Sequence, residues 1–205
     1  MAKQEFELAH RLSLLQSKFR AAVPVVDYMP TIIEMPPRHL DRKSAWEGLE
    51  SILLDIIRRF ELKTDRCLEF GVEFGYSTVA LSSFFKSVRG VDTFQGDRHT
   101  TIIRDTYQEA LENVSPYDNI ELIRSDYQSY VKTDSSTYDL IHVDIIHTFA
   151  DTYACGLWSA EHSKCTIFHD TESFPQVKQA VSEIARKTGK TFYNFPECYG
   201  LGIVV

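Results

Sequence analysis

From residue 65 onward the chain alternates short apolar runs with stretches of helical periodicity, and this alternation constrains the fold more than any other feature. Runs at 67–70, 87–92, 120–124, 138–144, 165–169, 191–195 and 201–205 read as strands. Helical patterns fill the gaps at 77–85, 101–114, 149–160 and 175–187, the last with Pro175 at its start and Gly189 just past its end. Strands alternating with helices imply a mostly parallel sheet with helices on both faces, because each crossover returns over a face. Only residues 196–200 separate the last two runs, too few for a crossover, so those two close as an antiparallel hairpin. The expectation is a Rossmann-like α/β fold of seven strands.

The first 63 residues follow another pattern. Leu8, Leu12, Leu15, Phe19 and Ala22 recur at steps of four and three, which predicts an amphipathic helix over residues 3–22 that needs a partner surface. Pro24, Pro30, Pro36 and Pro37 then forbid a long helix. Ser44 and Glu47 fit a capping box ahead of a helix over residues 45–60, whose apolar face carries Trp46, Leu49, Ile52, Leu53, Ile56, Ile57 and Phe60. The chain therefore divides into a helical extension (1–63), serving as a cover or as a homodimer contact, and an α/β domain (64–205).

Charge narrows the partners. Residues 1–63 hold 10 basic and 9 acidic side chains, whereas the remainder holds 12 and 20. A duplex nucleic-acid binder would show a basic surplus, so that class is disfavoured, and a polyanionic substrate would be repelled by the α/β domain. Cys67, Cys155, Cys165 and Cys198 show no C-x-x-C spacing, and two lie inside apolar runs, as reduced cysteines of an intracellular protein do. No run reaches the roughly 18 apolar residues of a membrane span, and the N-terminus has no apolar leader. A cytoplasmic protein that binds neither membrane nor nucleic acid is expected.

Ligands of open α/β sheets bind outside the carboxyl ends of the strands, so the chemistry should sit there. The first strand runs into LEFGVEFGYST (68–78), where Gly71 and Gly75 allow a tight turn and close ligand approach. This is not a G-x-G-x-x-G loop, and the Glu69 carboxylate suits an ammonium or hydroxyl better than a pyrophosphate. Ser77 and Thr78 could cap the next helix, and a plain strand-to-helix turn would use the same residues. The second strand ends in GVDTF (90–94). Its Asp92 lies 21 residues after Gly71, near the ~20 at which an acidic side chain reaches a ribose diol. The loop and the acid together point to a nucleoside-bearing ligand.

With YDLIHVD (138–144) plus His147, and IFHD (167–170), these segments resemble class I S-adenosylmethionine-dependent methyltransferases, in particular the catechol-type and macrolide-sugar O-methyltransferases. The resemblance runs from Leu68 to the C-terminus and leaves residues 1–63 unexplained. It implies S-adenosylmethionine as cofactor and a seven-stranded sheet ending in an antiparallel hairpin. It implies that Glu69, Gly71, Gly75 and Ser77 line the methionine end, that Asp92 holds the ribose, and that Asp126 and Tyr127 meet adenine, although a polar loop accounts for RSDY (124–127) equally well.

In its metal-dependent branch the resemblance also implies a divalent cation, Mg²⁺ or Mn²⁺, on Asp144, His169 and Asp170; without a metal, His169 would simply cap the next loop. It implies Asp144 and His147 as the catalytic pair, with His147 taking a proton from a small hydroxylated acceptor. Here the chain departs from the pattern: His169 stands where a carboxylate is usual, Thr171 where catechol-type enzymes have asparagine, and Ile145-Ile146 where Gly-Asp is frequent. A nitrogen ligand favours Mn²⁺, Zn²⁺ or Fe²⁺ over Mg²⁺. His142, between Ile141 and Val143, reads as a packed core residue, and Tyr28, Tyr76, Tyr193 and Tyr199 are candidates for an acceptor pocket. Alternatives are a catalytically silent relative acting as an interaction module, a nicotinamide oxidoreductase and a metal hydrolase.

Overall fold

The computed structural model describes residues 23–96 and 104–205. The expected helix over 3–22 lies outside the described residues, as does the start of the one expected over 101–114. The strands are β1 (Val25–Asp27), β2 (Arg66–Phe70), β3 (Ser87–Asp92), β4 (Ile120–Arg124), β5 (Tyr138–Val143), β6 (Ser163–His169), β7 (Phe192–Phe195) and β8 (Leu201–Val204). They form one sheet in the order β1-β7-β8-β6-β5-β2-β3-β4. β8 runs antiparallel to β6 and β7, and every other pairing is parallel.

Seven strands match the sequence reading. The eighth, β1, departs from it: Val25-Val26-Asp27 add to the outer edge of β7, so part of the 1–63 segment is sheet. The helices are α1 (Leu53–Arg59), α2 (Tyr76–Ser82), α3 (Tyr107–Val114), α4 (Tyr127–Tyr130), α5 (Phe149–His162) and α6 (Pro175–Thr188). Gly189 ends α6 with φ of 70°, as its place in the sequence predicts.

The single helix expected over 45–60 is broken. Gly48 takes φ of 101°, a 3₁₀ turn follows at Leu49–Ile52, and only then does α1 begin. The capping box also differs: Ser44 Oγ accepts from Trp46 N–H at 3.1 Å, while the Glu50 carboxylate turns back to accept from Gly48 N–H at 2.7 Å.

Strand alternation sorts the core onto two faces. Cys67, Leu140, Cys165 and Ile203 face a cluster with Trp46, Leu53, Ile56, Leu81 and Phe85. Leu68, Ile141, Phe168 and Val204 face the opposite one, with Tyr130, Cys155, Val181 and Ile184. The chain goes outward from β2 through β3 to β4, then returns to β5 on the other side of β2. The order thus reverses between β2 and β5, and a crevice opens at their carboxyl ends. Among the described residues no helix is long and apolar enough to cross a membrane.

Candidate active site

A cavity of about 370 Å³ lies over that reversal, within the range of small-molecule sites. Its walls come from the loops after β2, β3, β4, β5 and β6 and from residues 42–46. Gly71, at the mouth of β2, has φ of 90°, and a Cβ there would lie 1.7 Å from the carbonyl oxygen of Asp144. Asp144 N–H in turn donates to Phe70 O at 2.8 Å, so the two strand ends are in backbone contact. Gly75, with φ of 89°, begins α2, and a Cβ on it would meet Val114 at 3.0 Å. Gly75 therefore shapes the turn against α3 and does not border the cavity.

Asp92 borders it. Its Oδ2 accepts from the amides of Val72 (2.7 Å) and Glu73 (2.9 Å), and its Oδ1 from Phe94 N–H (2.8 Å), so the carboxylate at the end of β3 holds the glycine loop in shape. Glu69 lies beneath the cavity, fully buried. Its oxygens accept from Ser77 Oγ at 2.5 Å, from Thr78 Oγ1 and from His142 Nδ1 at 2.8 Å. Of these, Ser77 reaches the cavity wall. The helix-capping role open to Ser77 and Thr78 is thus replaced by an inward one.

At the end of β4, Asp126 caps α4 by accepting from Ser129 N–H and Ser129 Oγ, both at 2.8 Å, and those bonds hold its carboxyl below the usual range. Tyr127 donates to Asp151 Oδ1 at 3.0 Å, and its burial raises the phenol's pKa. Both residues line the cavity.

The ends of β5 and β6 bring four titratable groups together. Asp144 Oδ2 is 3.1 Å from His169 Nδ1, and Asp170 Oδ2 is 2.9 Å from His147 Nε2. The cross distances, Asp144 to His147 and Asp170 to His169, are both 3.5 Å. His147 also stacks on Phe174, with ring centroids 4.1 Å apart and planes 8° apart. Asp170 sits at φ of 63°, a left-handed conformation rare for a residue with a side chain and often found at functional sites.

Burial opposes charge on Asp144, His147 and His169, but their charged neighbours outweigh it. Asp144 is pulled well below the ordinary carboxylate range by His169 and His147. Burial would lower the His147 pKa, yet its hydrogen bonds to Asp144 and Asp170 raise it to about 9, and His169 is raised chiefly by the charge of Asp144. Asp144, His169 and Asp170 each offer a ligand atom, all within 4.8 Å of one another. Two carboxylate oxygens and an imidazole nitrogen facing one cavity fit a divalent cation that tolerates nitrogen, Mn²⁺ better than Mg²⁺.

Four tyrosines were expected to be acceptor-pocket candidates, and the structure separates them. Tyr28 is buried, donating to Asp55 at 2.5 Å, and Tyr193 packs on Phe60; neither lines the cavity. Tyr76 does line it, and donates to Glu50 at 2.8 Å. Tyr199 is exposed beside His169. Ile145 and Ile146, the departure from the resembled pattern, form part of the wall.

The sequence reading missed the wall at residues 42–46 and the role of His142. The signal was present in one place: a histidine inside an apolar strand needs buried partners, and here they are Glu69 and Trp46, whose Nε1–H donates to His142 Nε2 at 3.1 Å.

A glycine turn and acidic strand ends around a reversal in a parallel sheet define a nucleoside-cofactor fold, here with the terminal antiparallel hairpin of class I S-adenosylmethionine-dependent methyltransferases. The family described as a methyltransferase domain, Methyltransf_24, matches residues 68–171, just over half of the chain, and the protein belongs to it. No curated protein matches by sequence. Among solved structures the fold is similar to that of the O-methyltransferase NovP, at 15% identity over 72% of this chain and 74% of that one, with a TM-score of 0.61. It is similar to CalS10, an amino pentose methyltransferase from Micromonospora echinaspora bound to SAM, at 12% identity, 79% and 91% coverage and a TM-score of 0.59. It is similar also to the Bacillus cereus O-methyltransferase in complex with SAH, at 15% identity, 80% and 82% coverage and a TM-score of 0.55. The chain is an S-adenosylmethionine-dependent methyltransferase.

Proposed function

We propose that the protein transfers the methyl group of S-adenosylmethionine to a hydroxyl of a small acceptor, of sugar or natural-product type. The observation that carries this reading is the convergence of Asp144, His147, His169 and Asp170 in the same cavity as Gly71 and Asp92. Gly71, Ser77 and Asp92 line the part of the cavity suited to the methionine and ribose, with Asp126 and Tyr127 toward adenine. Gly75 and Glu69 act from behind, by shaping the turn and by holding Ser77.

The acceptor oxygen attacks the sulfonium methyl, the sulfur–carbon bond breaks to leave S-adenosylhomocysteine, and the hydroxyl proton passes to His147. The sulfonium is already reactive, so the chain's main task is alignment and proton removal. A divalent cation held by Asp144, His169 and Asp170 would lower the pKa of the acceptor hydroxyl. With its pKa raised to about 9, His147 keeps its own proton at neutral pH while it faces two free carboxylates. A cation on Asp144 and Asp170 would withdraw their charge from His147 and so lower its pKa toward a value suited to a base. The α/β domain's acidic surplus suits an uncharged or cationic acceptor, and the four free cysteines suit the cytoplasm.

The test is S-adenosylhomocysteine release over a panel of hydroxylated sugars and phenols, with Mn²⁺, Mg²⁺ or chelator. Turnover that needs a hydroxyl acceptor and is lost on chelation supports the reading. Cofactor binding with no turnover on any acceptor favours a silent relative, and turnover indifferent to chelation removes the cation.

A further inference from the structure

A buried hydrogen-bond chain crosses from residues 42–46 to the floor of the cavity. Trp46, His142 and Glu69 are at most 2% exposed, and each is bonded to the next. The indole Nε1–H can only donate, so His142 Nε2 must accept. The imidazole proton therefore sits on Nδ1 and is given to Glu69 Oε1, the oxygen that also accepts from Ser77 Oγ. The direction of every bond in the chain is thereby fixed.

Lys43, Ser44, Ala45 and Trp46 form one wall of the cavity. That wall is anchored at its outer end by Arg38, which donates to Ser82 O (3.1 Å) and Asn119 Oδ1 (2.6 Å), and by Arg42, paired with Glu109. Trp46 is its inner anchor, and it reaches the strand ends through His142 alone among the described hydrogen bonds. We propose that Trp46 and His142 are positioning residues: their fixed-direction bond ties the wall at 42–46 to Glu69 and Ser77, so that this wall and the strand-end side of the cavity move as one unit. The consequence for ligands rests on the function proposed above; the tether itself does not.

The test combines imidazole nitrogen NMR with hydrogen exchange, with S-adenosylhomocysteine as the probe. Long-range ¹H–¹⁵N spectra of the unaltered protein should show His142 protonated at Nδ1; the Nε2–H tautomer would overturn the proposal without any variant. Trp46→Phe keeps an aromatic ring but removes the N–H with the five-membered ring that carries it, while His142→Asn keeps a donor toward Glu69 and drops the acceptor for Trp46 without touching the indole. Each should speed amide exchange at residues 42–46 about tenfold and remove the protection that S-adenosylhomocysteine gives those amides. The double variant should be no worse than either single one, because both cut the same bond. Thr78→Val removes another donor to Glu69, remote from the wall, and should leave those amides unchanged; an equal rise in this variant would overturn the proposal by showing a general loosening. If the unaltered protein fails to bind S-adenosylhomocysteine, the cofactor assignment falls, and the exchange comparison without ligand still decides the tether.

Discussion

Gly71 and Asp144 meet where β2 and β5 end: the space a Cβ would take on Gly71 is filled by the Asp144 carbonyl oxygen, 1.7 Å away. The contact joins the glycine loop after β2 to the residue that begins the loop after β5, so the two sides of the crevice cannot separate without breaking the sheet's central pair. Gly71→Ala meets both this overlap and a φ of 90°. It should cost at least about 3 kcal/mol in chemical denaturation. A smaller loss would mean that the close approach is not maintained in solution.

Asp92 should be felt at two levels. It holds the amides of Val72, Glu73 and Phe94, and it borders the cavity where the ribose is proposed to lie. Asp92→Ala should weaken S-adenosylhomocysteine binding by about ten- to a hundredfold, as expected for lost charge-assisted bonds. Calorimetric titration checks this, and unchanged affinity would remove Asp92 from the site.

His147 should separate binding from chemistry. His147→Ala should slow turnover by about 10²–10⁴-fold, the usual worth of general-base catalysis, while S-adenosylhomocysteine affinity stays within about twofold. Equal losses in both would refute that division of roles. Asp144→Asn should abolish saturable Mn²⁺ binding followed by paramagnetic resonance, and retained binding would move the cation elsewhere.

The N-terminal segment should be an acid-sensitive part of the fold. Burial opposes ionisation of Asp55, but bonds from Tyr28, Thr31 and the amides of Thr31 and Ile32 outweigh it and lower its pKa. A depressed carboxylate pKa adds stability above its unfolded value near 3.9, and that stability is lost as pH falls through the folded value. Asp55→Asn should be less stable than the unaltered protein at pH 7, with the gap closing below about pH 4. A constant gap across that range would mean the carboxylate's charge does not hold the segment.

The sequence carried the sheet well because the runs at β2 to β8 are bounded by turns and spaced by crossovers, which local patterns report. It did not carry β1, whose three residues pair with Phe192–Asn194, a partner more than 160 residues away that no local pattern announces. The break at Gly48 was hidden because Trp46, Leu49 and Leu53 keep one apolar face across it. For the site, the strand-end acids were legible because topology puts strand ends at ligands. The pairing of His147 with Asp170 was not, since it depends on the left-handed turn at Asp170. His142 looked like packing because burial and polarity are indistinguishable until the partner, Trp46, is placed 96 residues away in sequence.

The proposed function rests on S-adenosylmethionine binding in the crevice between β2 and β5. It is tested most directly by titrating S-adenosylmethionine calorimetrically into the unaltered protein and into Asp92→Ala. Saturation at one molecule per chain is expected in the first and a clearly weakened isotherm in the second. No saturable heat in the unaltered protein, or identical isotherms in both, would contradict it.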